Sequence, residues 1–341
     1  MSDFLDCAET LMRLKHSGIT EAQDDFNNVF KAIAELQGVH SKSYLDLCNI
    51  EVVFGAIEMA RLVGRLGERN LKEIIKLSES IITLIYKTLE NNIKFPVRDR
   101  VPYPPYPYDN FVEMLLNINQ ELAEKNPVNH KYSFITFNYD LALEFALRYN
   151  RGSYDYCLSG ELIRGLIPYL KLHGSINWGI CPACNKIIPI QFDEVDFVSI
   201  SLFDYVYYNL GSMLSTKKHC DNKVLNSTPV IIPPTWNKTG YHEQLGNIWK
   251  RAAYELSKAE NIFIIGYSLP ETDSFFRYLY ALGSESATRI KRFWVFNPDT
   301  DGHVERRFKD LVGRGIENRF LYKPITFDKA IPIIKDALSE P

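Results

Sequence analysis

The chain has 341 residues, of which 46% are hydrophobic and 24% are charged, so it can form a sizeable core and is not a disordered chain. Its 39 basic and 42 acidic residues give a net charge of −3, which excludes a broad positively charged surface for binding nucleic acid. The apolar runs are far shorter than the roughly 20 residues of a membrane helix, and an acidic N-terminus is not typical of a signal peptide. Six cysteines in this length do not form a disulfide scaffold. We therefore expect a cytoplasmic globular protein with no nucleic-acid or membrane partner.

The first 125 residues have the pattern of a helical module. Apolar residues recur at a spacing of three and four from Phe26 through Val29 to Ile33 and Leu36, which is typical of one buried helical face. Two more helices are predicted at roughly 52–66 and 71–89. The segment 96–108 is rich in proline and tyrosine and is predicted to be extended, either as a stiff connector or as a loop over a ligand.

After residue 130, short apolar runs alternate with helical stretches, which favours a parallel sheet covered on both faces. The runs are 132–137, 169–172, 230–232, 262–265 and 293–296, with a weaker one at 320–322. We expect the first five to be neighbouring parallel strands. The prediction is an α/β fold, with a Rossmann-like parallel sheet over 126–180 and 225–341. An N-terminal helical module (1–125) and a small cysteine-containing insertion (181–224) complete it.

Polar residues follow four of these runs directly. In an open parallel sheet the carboxyl ends of the strands lie along one edge, where ligands bind. Each residue alone has an alternative explanation as a helix cap, and a histidine alone is often part of a core, but four such stretches together favour a site. The candidates at this edge are Thr136, Asn138, Asp140, His173, Gly266, Ser268, Asn297 and Asp299.

The content of this edge suits a nucleotide. Gly266 lets the backbone approach a phosphate or ribose closely, and Ser268 offers hydroxyl and backbone donors. Asn297 and Asp299 are suited to ribose hydroxyls. The 18 glycines include neither a G-x-G-x-x-G fingerprint nor a Walker lysine loop, so the chain is not typical of a dehydrogenase or a P-loop enzyme.

The order of four motifs resembles the sirtuin-like family, in particular its bacterial NAD-consuming branch associated with phage defence. The resemblance covers about residues 130–325. The motifs are Thr-Phe-Asn138-Tyr-Asp140, Lys171-Leu-His173-Gly-Ser-Ile-Asn-Trp178, Gly266-Tyr-Ser268-Leu-Pro-Glu-Thr-Asp273 and Asn297-Pro-Asp299.

The resemblance implies a set of roles around NAD⁺. Asn138 would place a water or the nicotinamide ribose, Asp140 would hold the nicotinamide carboxamide, and His173 would be the general base. Gly266, Ser268 and Asn297 would bind the adenosine half. The chemistry is consistent, because cleavage of the nicotinamide–ribose bond passes through an oxocarbenium-like state and needs a placed nucleophile and a proton acceptor.

Two departures from the family pattern bear on function. The family opens with a strand and a glycine-rich phosphate loop that the printed sequence lacks, so we expect weaker NAD⁺ binding than in a chain that has them. The run at Val230-Ile-Ile-Pro-Pro-Thr-Trp236 lacks the Phe-Gly-Glu segment with which deacylating members dock a peptide. The expectation is therefore an NAD⁺ hydrolase, with a non-catalytic NAD or ADP-ribose sensor or a protein deacylase as alternatives. A partner protein or a homo-oligomer is compatible with each.

Cys181-Pro-Ala-Cys184 has the spacing of a zinc knuckle. Family members often have a zinc ribbon at this place. Cys220 is a candidate third ligand and His219 a fourth, although two adjacent residues rarely reach one ion. Zinc binding and a decayed ribbon with free thiols both remain open on the sequence.

Overall fold

The computed structural model describes residues 2–38, 45–99, 101–125, 132–191, 197–199, 205–208, 210–232, 239–270, 273–285 and 288–339. The α-helices are α1 (Ser2–Arg13), α2 (Gln23–Gln37), α3 (Ile50–Val63), α4 (Leu71–Asn92), α5 (Tyr108–Lys125), α6 (Ala142–Tyr149), α7 (Leu210–Leu214), α8 (Thr239–Lys258), α9 (Ser274–Gly283), α10 (His303–Lys309) and α11 (Phe327–Ser339). Short 3₁₀ helices cover Ser17–Ala22, Cys220–Asn222 and Arg314–Arg319.

The strands are short, and most follow or precede a tight turn. They are β1 (Phe95–Arg98), β2 (Val101–Pro102), β3 (Phe134–Thr136), β4 (Tyr154–Asp155), β5 (Ile167–Lys171), β6 (Gly174–Ser175), β7 (Trp178–Ile180), β8 (Ile187–Pro189), β9 (Phe197–Ser199), β10 (Tyr205–Tyr208), β11 (Val230–Ile231), β12 (Asn261–Ile265), β13 (Arg292–Phe296) and β14 (Phe320–Lys323).

The chain forms two compact units. The first unit comprises Met1–Tyr103, Phe137–Leu141 and His173–Gln244, and the second comprises Pro104–Thr136, Ala142–Leu172 and Leu245–Pro341. The domain boundaries expected from the sequence remain a prediction.

The N-terminal helices of the first unit form as their apolar periodicity predicts. In α2 the predicted stripe of Phe26, Val29, Ile33 and Leu36 is buried. Helix α4 begins with a capping box, in which Asn70 accepts from the Glu73 N–H and the Glu73 side chain accepts from the Asn70 N–H. The predicted N-terminal helices are therefore confirmed.

The proline- and tyrosine-rich segment 96–108 is extended at its start, as predicted. Strands β1 and β2 form an antiparallel pair, and β1 also pairs with β10. Together with β9 these strands form a sheet in the order β2-β1-β10-β9. Because proline lacks an N–H, it is tolerated in an edge strand, and Pro102 lies in β2 at the edge of this sheet.

The second unit contains the parallel sheets of the predicted α/β fold, so that fold class is confirmed. One sheet has the order β3-β5-β4 and the other β12-β13-β14, and all neighbouring strands are parallel. A shared cluster of buried side chains underlies them, formed by Phe111, Met114, Leu115, Phe296, Ala330 and Ile334. Phe134 from β3 and Phe263 from β12 both pack against this cluster.

The prediction that the five runs are neighbouring parallel strands is wrong. The runs at 132–137 and 169–172 pair in one sheet, those at 262–265 and 293–296 pair in another, and 230–232 is assigned to neither. Strand β11 pairs antiparallel with β6, with Val230 opposite Ser175 and Ile231 opposite Gly174, in the first unit. This pairing depends on Gly174, the first residue of β6, which has a φ of +86°. A Cβ at this position would lie 2.1 Å from the Val230 carbonyl oxygen, so only glycine permits the pairing.

Candidate active site and metal centre

The three predicted catalytic residues, Asn138, Asp140 and His173, lie on two segments of the first unit that contact each other. The Ile176 N–H donates to the Tyr139 carbonyl at 3.1 Å, and Ser175 Oγ donates to the same oxygen at 3.3 Å. Tyr139 lies between Asn138 and Asp140, and Ser175 follows His173 by two residues. The structure therefore brings the segment of Asn138 and Asp140 against the turn that follows His173.

Aromatic side chains surround the imidazole of His173, which is only 2% exposed. The Phe137 ring lies 4.8 Å from it in an edge-on arrangement, and the Tyr139 ring lies 6.2 Å away. The backbone of His173 is also fixed, because its carbonyl accepts from the Ile232 N–H at 2.8 Å. Tyr139 closes the arrangement by donating its hydroxyl hydrogen to the Ile232 carbonyl at 2.7 Å.

Asn138 and Asp140 differ from His173 in exposure. Asn138 is exposed and Asp140 is half-buried, whereas His173 is buried. An exposed amide on one segment and a buried imidazole on the neighbouring segment are compatible with a substrate that enters from solvent toward an enclosed base. The segment can thus present one polar side chain to a ligand while Tyr139 anchors it.

Four of the other predicted residues lie in the second unit, on two loops that are linked by one side chain. Asn297 Nδ2 donates to the Tyr267 carbonyl at 3.3 Å, and Asn297 Oδ1 accepts from the Asp299 N–H at 3.0 Å. The Gly266 N–H donates to the Phe296 carbonyl at 2.8 Å, which joins the loops at their first residues. Gly266 and Ser268 lie on one loop of this pair, and Asn297 and Asp299 lie on the other.

Gly266 meets the steric requirement for a close ligand approach. Its φ is +71°, it is exposed, and a Cβ built on it would have no heavy atom within 4 Å. The glycine is therefore required by the backbone conformation and leaves the space beside it open.

Asp299 is engaged as a helix cap. Its Oδ2 accepts from the Val304 N–H at 3.0 Å at the start of α10. The hydrogen bond from the Val304 N–H is the main cause that holds the pKa of Asp299 below its ordinary value. Its role in the loop is thus at least partly structural. This agrees with the alternative explanation of the strand-end polar residues, which is that they cap helices.

Thr136 ends strand β3 in the second unit. It lies opposite Lys171 in the parallel register, and its carbonyl accepts from the Leu172 N–H at 2.9 Å. Thr136 thereby fixes the ends of two adjacent parallel strands.

The sequence reasoning missed three residues that shape the loops of the second unit. The Tyr322 hydroxyl donates to the Asp299 carbonyl at 2.7 Å and to the Asn297 carbonyl at 3.2 Å. Arg307 donates to the Ser268 carbonyl at 3.2 Å, and the Tyr267 hydroxyl donates to Asp273 at 3.0 Å. The position of Tyr267 between Gly266 and Ser268 was a signal for the last of these. The others come from distant segments.

The four predicted metal ligands converge in the first unit. The ligand atoms of Cys181, Cys184, His219 and Cys220 all lie within 4.8 Å of one another. His219 Nδ1 lies 3.3 Å from the Cys220 sulfur and 3.6 Å from the Cys184 sulfur. Tetrahedral zinc with Zn–S bonds of about 2.3 Å places its ligand atoms roughly 3.8 Å apart, so this donor set fits zinc.

Two tight turns explain how the adjacent His219 and Cys220 reach the same point. The Cys181 turn closes by a hydrogen bond from the Asn185 N–H to the Cys181 carbonyl at 2.8 Å, between β7 and β8. In the second turn, the His219 N–H donates to the Lys223 carbonyl at 2.9 Å and Asp221 has a φ of +51°. This left-handed residue redirects the chain directly after the two ligands.

The thiols differ in acidity. Burial raises the pKa of Cys181, but hydrogen bonds from the Cys184 and Ala183 N–H groups and with the His219 and Cys184 side chains together lower that pKa to about 6. The pKa of Cys220 is raised, first by its hydrogen bond with Cys184. The Cys181 sulfur is thus the most readily ionised of this pair, and ionised sulfur is the form that binds metal.

These observations define a class of protein. It is an α/β protein with two linked loops after parallel strands, a buried histidine and a Cys₃His cluster. Among the described residues, no helix combines the length and apolar character needed to cross a membrane. No protein-family model matches the chain. No curated protein matches it either.

Several solved sirtuin structures are similar to the chain. Two mutants of a Sir2 homologue in complex with ADP-ribose align with TM-scores of 0.40 and 0.37, each at 15% identity. The first alignment covers 80% of both chains, and the second covers 79% of this chain and 76% of the other. A Sir2 complex with a peptide and NAD⁺ aligns with a TM-score of 0.33 at 14% identity, over 68% of this chain and 72% of the other.

Proposed function

We propose that the chain hydrolyses NAD⁺ at the nicotinamide–ribose bond. The observation that carries the proposal is the contact between the Tyr139 carbonyl and the turn after His173, with Ile176 N–H at 3.1 Å and Ser175 Oγ at 3.3 Å. In support of the proposal, the two contacting segments carry an amide, a carboxylate and an imidazole, which are the groups that the reaction requires.

The three groups have separate roles in the proposed reaction. As the bond to the cationic nicotinamide breaks, charge develops on the ribose, and the leaving group needs no strong acid. Asn138 places the attacking water, His173 accepts the proton from it, and Asp140 holds the nicotinamide carboxamide. An imidazole suits the acceptor role because its ordinary pKa of about 6.5 lies near neutral pH.

The loops of the second unit are the proposed site for the adenosine half of NAD⁺. Gly266 leaves open space beside an exposed backbone, and Ser268 follows it on the same loop. Asn297 holds this loop to its neighbour through the Tyr267 carbonyl. We assign Asn297 and Asp299 a positioning role in these loops. Thr136 is assigned a positioning role at the ends of β3 and β5.

The Cys₃His cluster is the proposed structural zinc site. All four ligand positions of a tetrahedral ion are filled by protein side chains, which is typical of a structural and not a catalytic zinc. Zinc would hold the turn at Cys181 to the turn at His219 and Cys220 within the first unit. It takes no part in the proposed reaction.

The motif resemblance makes anti-phage defence in the bacterial cytoplasm the proposed biological setting, in which NAD⁺ consumption would be the effector reaction. A homo-oligomer or a partner protein is compatible with this setting. The chemistry at the site is independent of this setting and can be tested alone.

The test is release of nicotinamide from NAD⁺ by the purified full chain, measured by chromatography with and without an acetyl-lysine peptide. We expect nicotinamide and ADP-ribose as products and no dependence on the peptide. Release that requires the peptide, with transfer of its acetyl group, would assign the chain as a deacylase. Binding of ADP-ribose by calorimetry without any release would assign it as a sensor.

A further inference from the structure

We propose that the ion pair between Glu144 and Lys171 positions the two segments that carry the proposed catalytic residues. The inference rests on the proposed function for its catalytic consequence, although its structural part can be tested alone. The pair lies in the second unit. Lys171 begins the motif that contains His173, but the motif assigns it no role, and Glu144 belongs to none of the motifs.

The pair is completely enclosed. Lys171 Nζ lies 2.7 Å from Glu144 Oε1, and the two side chains are 0% and 1% exposed. The Tyr169 hydroxyl donates to Glu144 Oε2 at 2.9 Å, and the Tyr156 hydroxyl donates to Oε1 at 3.2 Å. The carboxylate therefore accepts from one ammonium and two hydroxyl groups, which defines its position closely.

The chain positions of the pair connect it to the site. Lys171 is the last residue of β5 and precedes His173 by two residues, while Glu144 lies in the first turn of α6, four residues after Asp140. Strand β5 is in turn paired with β3, where Lys171 lies opposite Thr136. The pair thus links two points of the chain. One is the end of β5, directly before the segment of His173, and the other is the start of α6, directly after the segment of Asn138 and Asp140.

Stability alone is a poor explanation for such a pair. Two charges removed from water lose hydration that their attraction repays only with good geometry, and well-packed apolar residues are often as stable. A fixed arrangement is a better explanation, because displacement of a reacting group by about 1 Å can cost about 10²-fold in rate. We therefore expect loss of the pair to affect turnover more than folding.

The experiment uses the full chain with both charges removed together, as Glu144→Gln with Lys171→Met, so that no buried charge is left without its partner. Thermal unfolding, nicotinamide release and amide hydrogen exchange are measured on the same preparation. We expect kcat to fall about 10²-fold with KM changed less than about 2-fold. Exchange in 137–141 and 173–176 should accelerate, while Tm shifts by less than about 4 °C.

The matched control is the double variant Arg251→Met with Glu255→Gln. That pair lies within α8 of the second unit, with a hydrogen bond of 2.8 Å and side chains 15% and 8% exposed. It should leave kcat and the exchange of both segments unchanged. Glu144→Asp keeps both charges but shortens the carboxylate arm. It replaces the double variant if that variant does not fold, with the same expected loss of kcat and faster exchange.

The outcomes separate the two proposals. If the wild-type chain releases no nicotinamide, the proposed function is wrong, and the exchange measurement still decides the positioning role. Wild-type kcat and wild-type exchange in the double variant would overturn the inference. A large drop in Tm with faster exchange throughout the second unit would also overturn it, because the pair would then be a general stabiliser.

Discussion

The carbonyl oxygen of Tyr139 accepts a hydrogen bond from the Ile176 N–H at 3.1 Å, and this bond joins two segments separated by 36 residues of sequence. Its consequence is that Asn138 and His173 belong to adjoining parts of one unit. The side chain of His173 is buried among aromatic rings, whereas Asn138 is exposed. The two residues can therefore be tested separately, since they differ in both chemistry and environment.

Replacing His173 with alanine removes the proposed proton acceptor. We expect nicotinamide release to slow by about 10²-fold or more, the usual contribution of a general base. The control is His303→Ala, because His303 is an exposed residue at the start of α10. The measurement is the initial rate of release with each variant, together with calorimetry of ADP-ribose. Full activity in His173→Ala would remove the catalytic assignment.

Replacing Asn138 with alanine should be at least as damaging, because no other residue of the proposed set can place the nucleophile. ADP-ribose should still bind, since the loops of Gly266 and Asn297 are unchanged. Asn226→Ala is a suitable control, as this asparagine is exposed and lies before β11. If Asn138→Ala loses ADP-ribose binding, and nicotinamide release falls only in proportion to that loss of binding, Asn138 would be a binding residue.

Helical periodicity predicted the N-terminal part of the chain well, because a stripe such as Phe26, Val29 and Ile33 is a local signal. The direction of β11 was not predictable in the same way. The pairing of β11 with β6 requires a glycine at position 174, and the sequence does not show this requirement because Val230, which contacts it, is far away in the chain. Apolar runs indicate strands, but their partners and directions depend on turns that the runs do not contain.

The site was predictable in its residue types and less so in their roles. The position of Asn297 after a strand marked it as polar and strand-terminal, yet its bonds to the Tyr267 carbonyl and the Asp299 N–H come from tertiary structure. The pair of Glu144 and Lys171 was invisible, because its members are 27 residues apart. The sequence similarly argued against His219 and Cys220 sharing an ion, whereas their turn brings both ligand atoms to one point.

The cysteine cluster predicts a metal content that can be measured directly. We expect purified chain to contain about one zinc ion per molecule, and Cys184→Ser to lose most of it, because a closed structural site needs four ligands. Cys48→Ser is the control, since Cys48 is exposed and outside the cluster. The measurement is elemental analysis with a thiol titration. Wild-type chain without zinc and with all six thiols reactive would support the decayed ribbon.

Gly174 provides a stability test with a clear structural cause. Gly174→Ala should destabilise the protein by at least about 2 kcal/mol, because a left-handed residue costs roughly 1–2 kcal/mol and the added Cβ meets the Val230 carbonyl. Gly55→Ala is the matched control in the same unit. Gly55 lies inside α3 with nothing within 4 Å of an added Cβ, so alanine should stabilise by about 0.5–1 kcal/mol. Urea unfolding of both variants measures the difference, and a neutral Gly174→Ala would contradict the assigned turn.

The cap at Asp299 makes a prediction about pH. The Val304 N–H is the main cause of its lowered pKa, so the native state holds the ionised carboxylate more strongly than the unfolded chain does. The stabilisation is therefore present above the ordinary pKa of an aspartate and is lost as the pH falls through the lowered value. Unfolding of wild type and Asp299→Ala in urea should differ at neutral pH and converge in acid. Asp301→Ala is the control, because Asp301 is exposed two residues away. A difference between wild type and Asp299→Ala that persists unchanged into strong acid would show that the carboxylate charge is not what caps α10.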